Sequence, residues 1–185
     1  MEKFQLSNEY AVYRIKYEGE ISTNDFIKRI NQNKLILHKR TNKKVENRIL
    51  IECNEFLSIN NSFINALEKI DNNKIDKYAK LSWVYVQKKD FNMVMHKHDF
   101  LYYTTEKTNI KTDWTCVFYI QVPKNLKKGE GDIIFMTEDK KLHTFTPNQN
   151  DILIFSGKLN HMVSNIENAE INRIVYATNY NLNIR

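Results

Sequence analysis

A mostly β (α+β) domain of sandwich or jelly-roll type, with N-terminal helices on one outer face, is the fold class this sequence predicts. Three observations carry it. From Leu81 onward, short β-rich runs recur between polar turns, and eight runs at this spacing suit antiparallel sheets better than a parallel one. The first eighty residues differ in texture and hold the helical patterning. Finally, 185 residues with 42% apolar and 12% aromatic content, but only four Gly and two Pro, suit one domain over 1–185 with no linker.

Taken in order, Ser22-Thr23-Asn24-Asp25 before Phe26-Ile27-Lys28-Arg29-Ile30 reads as a capped helix start with an apolar stripe. Asn60-Asn61-Ser62 before Phe63-Ile64-Asn65-Ala66-Leu67-Glu68-Lys69-Ile70 reads as a second. Between them, 34–37 and 48–51 are candidate short strands, although runs so short fit helix as well. Residues 1–80 are thus expected to form a helical or mixed support region, and 81–185 the β core. Core strands are expected at 83–87, 92–98, 114–122, 132–136, 142–146, 151–155, 161–164 and 173–180. Polar turns such as Lys127-Lys128-Gly129-Glu130-Gly131 and Pro147-Asn148-Gln149-Asn150 separate them.

Composition removes several function classes. The net charge of +6 is spread, and the basic runs Lys39-Arg40 with Lys43-Lys44 and 124–128 are short and sit in expected loops. They read as solvated surface rather than a nucleic-acid site. Cys53 and Cys116 each lie in an apolar stretch and read as buried thiols of a reducing compartment. Met1-Glu2-Lys3 runs into mixed polar sequence, and no run approaches the ~20 apolar residues of a membrane span. A cytoplasmic protein without a membrane partner is expected.

Of five histidines, three occupy positions that a β-roll can bring together. In an extended 91–99 segment, His96 and His98 fall on one side, whereas Asp99 points away unless the chain turns after His98. His161 follows a buried run, Asp151 to Ser156, and a tight turn at Gly157, which suits a ligand at the mouth of a barrel. Neutral imidazole serves Fe, Zn, Cu and Ni, so the ligand type alone selects no metal. His143 reads as a rim or exposed residue and His38 as structural. Arg173 shares an alternating face with Val175, Ala177 and Asn179. A cation among small inward residues needs a counter-charge, and a planar guanidinium matches a carboxylate bidentately. That partner is either a protein carboxylate or a bound diacid; an exposed strand edge is the remaining alternative.

The stretch from Trp83 to Asn183 resembles the double-stranded β-helix core of the 2-oxoglutarate and Fe(II)-dependent oxygenases, particularly small bacterial and phage members. The matching pieces are Met95-His96-Lys97-His98, 113–123, Gly131-Asp132-Ile133-Ile134-Phe135, 151–161 and Arg173-Ile174-Val175-Tyr176-Ala177-Thr178-Asn179. The resemblance implies His96 and His161 as iron ligands, Arg173 as the partner of the distal carboxylate of 2-oxoglutarate, and Tyr119 as a hydrogen-bond donor to the same carboxylate. The family's usual first motif is H-x-D or H-x-E, so His98 is a departure. It leaves either an all-histidine site with His98 as third ligand, which strand alternation favours, or a carboxylate such as Asp99 or Asp113 in its place. The implied activity is hydroxylation with Fe(II), 2-oxoglutarate and O2, with no catalytic residue beyond the metal centre. The pattern selects no class of prime substrate. The loop expected at 99–113 is the candidate for substrate recognition. Tyr85, Phe91, Tyr102, Tyr103 and Trp114 are either pocket walls or ordinary core.

Two other functions compete. A cupin-type metalloenzyme also uses H-x-H and a distant histidine, but it needs no arginine at position 173, and Leu101-Tyr102-Tyr103 stands where its glutamate belongs. A non-catalytic β-sandwich binding module would make the histidines incidental.

Overall fold

Strand alternation sets the architecture. In the computed structural model, which describes residues 1–19, 24, 27–28, 48–50, 56–89, 93–103 and 106–182 (48–50 and 101–109 as backbone), twelve strands and one complete helix are defined. They are β1 (Glu2–Gln5), β2 (Ala11–Lys16), β3 (Arg48–Leu50), α1 (Leu57–Asp71), β4 (Ala79–Gln87), β5 (Phe100–Tyr103), β6 (Glu106–Lys111) and β7 (Trp114–Gln121). There follow β8 (Ile133–Met136), β9 (Leu142–Phe145), β10 (Asp151–Ser156), β11 (Asn160–Val163) and β12 (Arg173–Asn181). A seven-stranded antiparallel sheet has the order β1-β2-β10-β7-β12-β4-β3, and a three-stranded one the order β11-β8-β9.

The central strands of the large sheet, β4, β7, β10 and β12, are buried on both faces. Its inner residues, among them Trp83, Tyr85, Val117, Tyr119, Leu153, Phe155, Val175 and Ala177, pack with Ile133 and Phe135 of the small sheet. Its outer residues Val84, Val86, Cys116, Phe118, Ile120, Ile152, Ile154, Ile174, Tyr176 and Tyr180 pack against Phe56, Ile59, Phe63, Ala66 and Leu67 of the α1 region. Those helix positions recur at helical spacing. Each of the larger ones, Phe56, Ile59, Phe63 and Leu67, contributes roughly 1.5–3 kcal/mol on burial. Two antiparallel sheets face to face with a helix outside make the double-stranded β-helix architecture expected above.

Several boundaries differ from expectation. Asn60 does not begin the second helix; α1 starts at Leu57, after Phe56, with no side-chain cap. Asn60 is buried inside it, and its Oδ1 accepts hydrogen bonds from the hydroxyls of Tyr176 (3.1 Å) and Tyr180 (3.2 Å). Satisfying two buried phenols outweighs capping at that position. The expected strand 92–98 is not formed over 93–98; only His96 pairs, through a bridge to His161. The expected loop 99–113 contains the hairpin β5–β6, because its Tyr, Phe, Thr and Ile content favours strand pairing. In the support region, β1 and β2 extend the large sheet beside β10, where Arg14 and Asp151 form an ion pair. Residues 24, 27 and 28 are helical; the rest of the first expected helix and the candidate strand 34–37 lie outside the described residues. Among the described residues, no helix is long and apolar enough to cross a membrane.

Candidate metal centre

His161 is placed by β11, whose pairing with β8 sets it opposite Phe135. It is 4% exposed and packs edge-on against Phe155, with ring centroids 4.8 Å apart. His96 joins it through two backbone hydrogen bonds, His96 N to His161 O at 2.9 Å and His161 N to His96 O at 2.8 Å. That single closely bonded pair brings the two rings to 4.4 Å. His98 is held differently: its N–H donates to Gly157 O at 2.8 Å, and its ring lies 5.1 Å from that of His96 and 5.0 Å from that of His161. Gly157 is required there by close approach. A Cβ at this position would meet Thr112 Cγ2 at 2.5 Å and His98 O at 2.9 Å.

The three imidazoles each offer a ligand nitrogen, and these atoms lie within 4.8 Å of one another. A single ion drawing them in at bonds of ~2.1 Å fits this cluster. Nδ1 of His96 lies 2.9 Å from Val94 O, and Nδ1 of His161 lies 3.0 Å from Leu159 O. A carbonyl only accepts, so these contacts suit rings protonated on Nδ1, the tautomer in which Nε2 is the ligand atom. Among the described residues this is the one such group of three or more.

The carboxylates weighed as alternatives are directed elsewhere. Asp99 pairs with Lys97 at 3.0 Å, and Asp113 Oδ2 accepts from the Leu182 N–H at 2.8 Å. His143 lies on β9, opposite Phe135, and outside the cluster; His38 lies outside the described residues.

Arg173 begins β12, in register with Gln87 at the end of β4. It is 2% exposed, and Nη1 donates to Gln87 Oε1 at 2.9 Å. Its Nε is buried with no hydrogen-bond partner, and among the described residues no carboxylate pairs with it. The guanidinium carbon stands 4.9 Å from the centroid of the Tyr119 ring. Tyr119 is fully buried, and its hydroxyl makes no hydrogen bond of normal geometry. Burial pushes the phenol up from its ordinary pKa, with the Arg173 charge opposing. The register of β12 against β7 shifts between Ile174 and Val175, a bulge beside the arginine.

One cavity takes in all of these groups. His96, His98, His161, Tyr119 and Arg173 line it together with Trp83, Tyr85, Met93, Thr115, Val117, Ile133, Val163, Val175 and Ala177. No acidic residue is among them. The wider grooves beside the end of α1 and over loops 122–132 and 144–149 contain no histidine. Of the expected aromatic walls, Tyr85 lines the cavity, whereas Trp114 packs against Tyr13 near the outer core. Phe91 and the side chains of Tyr102 and Tyr103 lie outside the described residues. Gln87, the close approach at Gly157 and the two carbonyls behind the histidines are not legible in the sequence, because cross-strand register and packing distance leave no local pattern.

No family model matches the chain, and no curated protein matches its sequence. The fold is shared with solved proteins. A Pseudomonas putida prolyl-4-hydroxylase aligns with a TM-score of 0.65 at 11% identity, over 91% of each chain. The viral collagen prolyl hydroxylase of Paramecium Bursaria Chlorella virus-1, in its 2OG complex, aligns at 0.57 and 14% identity, over 91% of this chain and 94% of that one. HygX from Streptomyces hygroscopicus, with nickel and 2-oxoglutarate bound, aligns at 0.60 and 10% identity, over 97% and 88%. At these identities the likeness is one of fold.

Proposed function

We propose that this protein is a non-haem Fe(II)- and 2-oxoglutarate-dependent oxygenase acting as a hydroxylase. One observation carries the proposal: a buried guanidinium, paired with no carboxylate among the described residues, opens into the same cavity as three converging imidazoles. An unpaired buried cation is strongly destabilising, on the order of 3–5 kcal/mol. Three neutral imidazoles leave the charge of a divalent ion uncompensated as well. A cavity holding both charges and, among the described residues, no acidic side chain is complementary to a dianion, and a 2-oxo diacid has one carboxylate for each end. Solved proteins of the same fold hold nickel with 2-oxoglutarate, or iron.

His96, His98 and His161 would hold the metal, with Val94 and Leu159 carbonyls orienting two of the rings. Arg173 would grip the distal carboxylate, and the Tyr119 hydroxyl, kept protonated by burial, has a hydrogen to donate beside it. Bound Fe(II) supplies the oxidation, in which 2-oxoglutarate and O2 become succinate and CO2 while one oxygen atom enters a substrate C–H bond. Apolar walls such as Val117, Ile133, Val163 and Val175 exclude water and strengthen every charge interaction inside. The hairpin β5–β6 begins two residues after His98 and is the element proposed to meet the prime substrate. A cupin-type reading has no use for the buried guanidinium, and a binding module leaves it without an anion.

Thermal unfolding of Mn(II)-loaded protein tests this. Excess 2-oxoglutarate is expected to stabilise the fold by roughly 2–4 kcal/mol, as ligand mass action requires, and Arg173→Ala should remove most of that gain. Fully metallated protein whose Tm ignores 2-oxoglutarate would sink the proposal.

A further inference from the structure

We propose that Gln87 is the positioning residue that presents Arg173 to the co-substrate and sets a preference for a 2-oxo diacid over a 2-oxo monoacid; this rests on the function proposed above. Gln87 is fully buried, directly across the strand pair from Arg173. Its Oε1 accepts from Arg173 Nη1 at 2.9 Å, and its Nε2 donates to Ser164 O at 2.9 Å. The opposite amide orientation would set an NH2 against the guanidinium and an oxygen against a carbonyl, so only one orientation satisfies both neighbours. The anchor is itself fixed: Ser164 N donates to Asp132 O at 2.9 Å, and Asp132 N donates to Ser164 Oγ at 2.9 Å.

The chemistry of this partner matters as much as its position. Gln87 occupies Nη1 only. Nε has no protein partner, and it forms with Nη2 the edge whose parallel N–H groups match a carboxylate. An amide orients the guanidinium without neutralising it. A carboxylate in the same place would cancel the charge and repel the incoming anion. The side chain at position 87 thus decides whether the cavity prefers an acid with a second carboxylate.

The experiment titrates Mn(II)-loaded protein with 2-oxoglutarate and with pyruvate, by calorimetry, in the parent, Gln87→Glu and Gln87→Met. The parent should favour 2-oxoglutarate. Gln87→Glu should weaken it by ~100-fold, as expected when a buried charge contact is lost, with pyruvate and Mn(II) affinities held within ~3-fold. Gln87→Met keeps the volume and removes the orienting oxygen, and should cost ~10-fold for 2-oxoglutarate alone; it decides the matter if the glutamate variant does not fold. An unchanged ratio of the two acids in these variants would overturn the inference, as would equal losses for both acids. A parent protein that binds no 2-oxoglutarate is a separate result, which overturns the function itself.

Discussion

His161 is the deepest of the three clustered histidines, and its neighbours explain why a single substitution there has a clear outcome. Phe155 and Phe135 flank the ring, and Leu159 O holds Nδ1. His161→Ala should abolish metal uptake, measured as bound Mn(II) or Fe(II) per chain. His143→Ala should leave it intact, since His143 stands outside the cluster. Equal metal content in both variants would refute the ligand assignment. At this scale much was legible: H-x-H spacing, a distant histidine after a buried run, and an arginine on an inward face. What stayed hidden were partners such as Gln87, eighty-six residues from Arg173 in sequence yet its neighbour across the strand pair. Register of that kind is set by packing of whole strands.

Among the elements, the turn after β10 bears most directly on the histidine cluster. Gly157 N donates to Asp113 O at 3.0 Å while Gly157 O receives the His98 N–H, so one glycine docks the His98 segment onto the start of β7. Gly157→Ala would drive a methyl into Thr112 and the His98 carbonyl. Metal affinity should fall by roughly 10–100-fold, as for displaced supporting contacts, with circular dichroism unchanged; unaltered Co(II) titrations would contradict this. Long periodic runs were read well, as in β4, β7, β10 and β12, where alternating faces match the two cores. Over 93–98 the expected strand does not form, because only His96 makes a bridge, to His161, and the His98 N–H goes instead to the turn at Gly157. The apparent cap Asn60 failed because two tyrosines from β12 claim its oxygen.

For the molecule as a whole, the doubly buried central sheet makes a prediction about pH. Cys116 and Tyr119 on β7 and Tyr180 on β12 are all raised in pKa by burial. A folded pKa above the unfolded value means that the stability is complete below the unfolded pKa and is lost as pH rises past it. The loss should begin near about pH 8.5 for the thiol and about pH 10 for the phenols, at ~1.4 kcal/mol per pH unit for each titrating group. Urea midpoints should fall from about pH 9 to about pH 11, and Cys116→Ala should delay the onset. A midpoint that holds steady across that range would contradict the burial argument. By itself the sequence determined the class of fold, most of its core strands and the residue types of the candidate centre, because hydrophobic alternation and ligand chemistry are local properties. Only the tertiary structure decided that three imidazoles meet, that Asp99 and Asp113 turn elsewhere, and that no carboxylate among the described residues pairs with Arg173. Those facts depend on which strands lie side by side, and no short window of residues contains that.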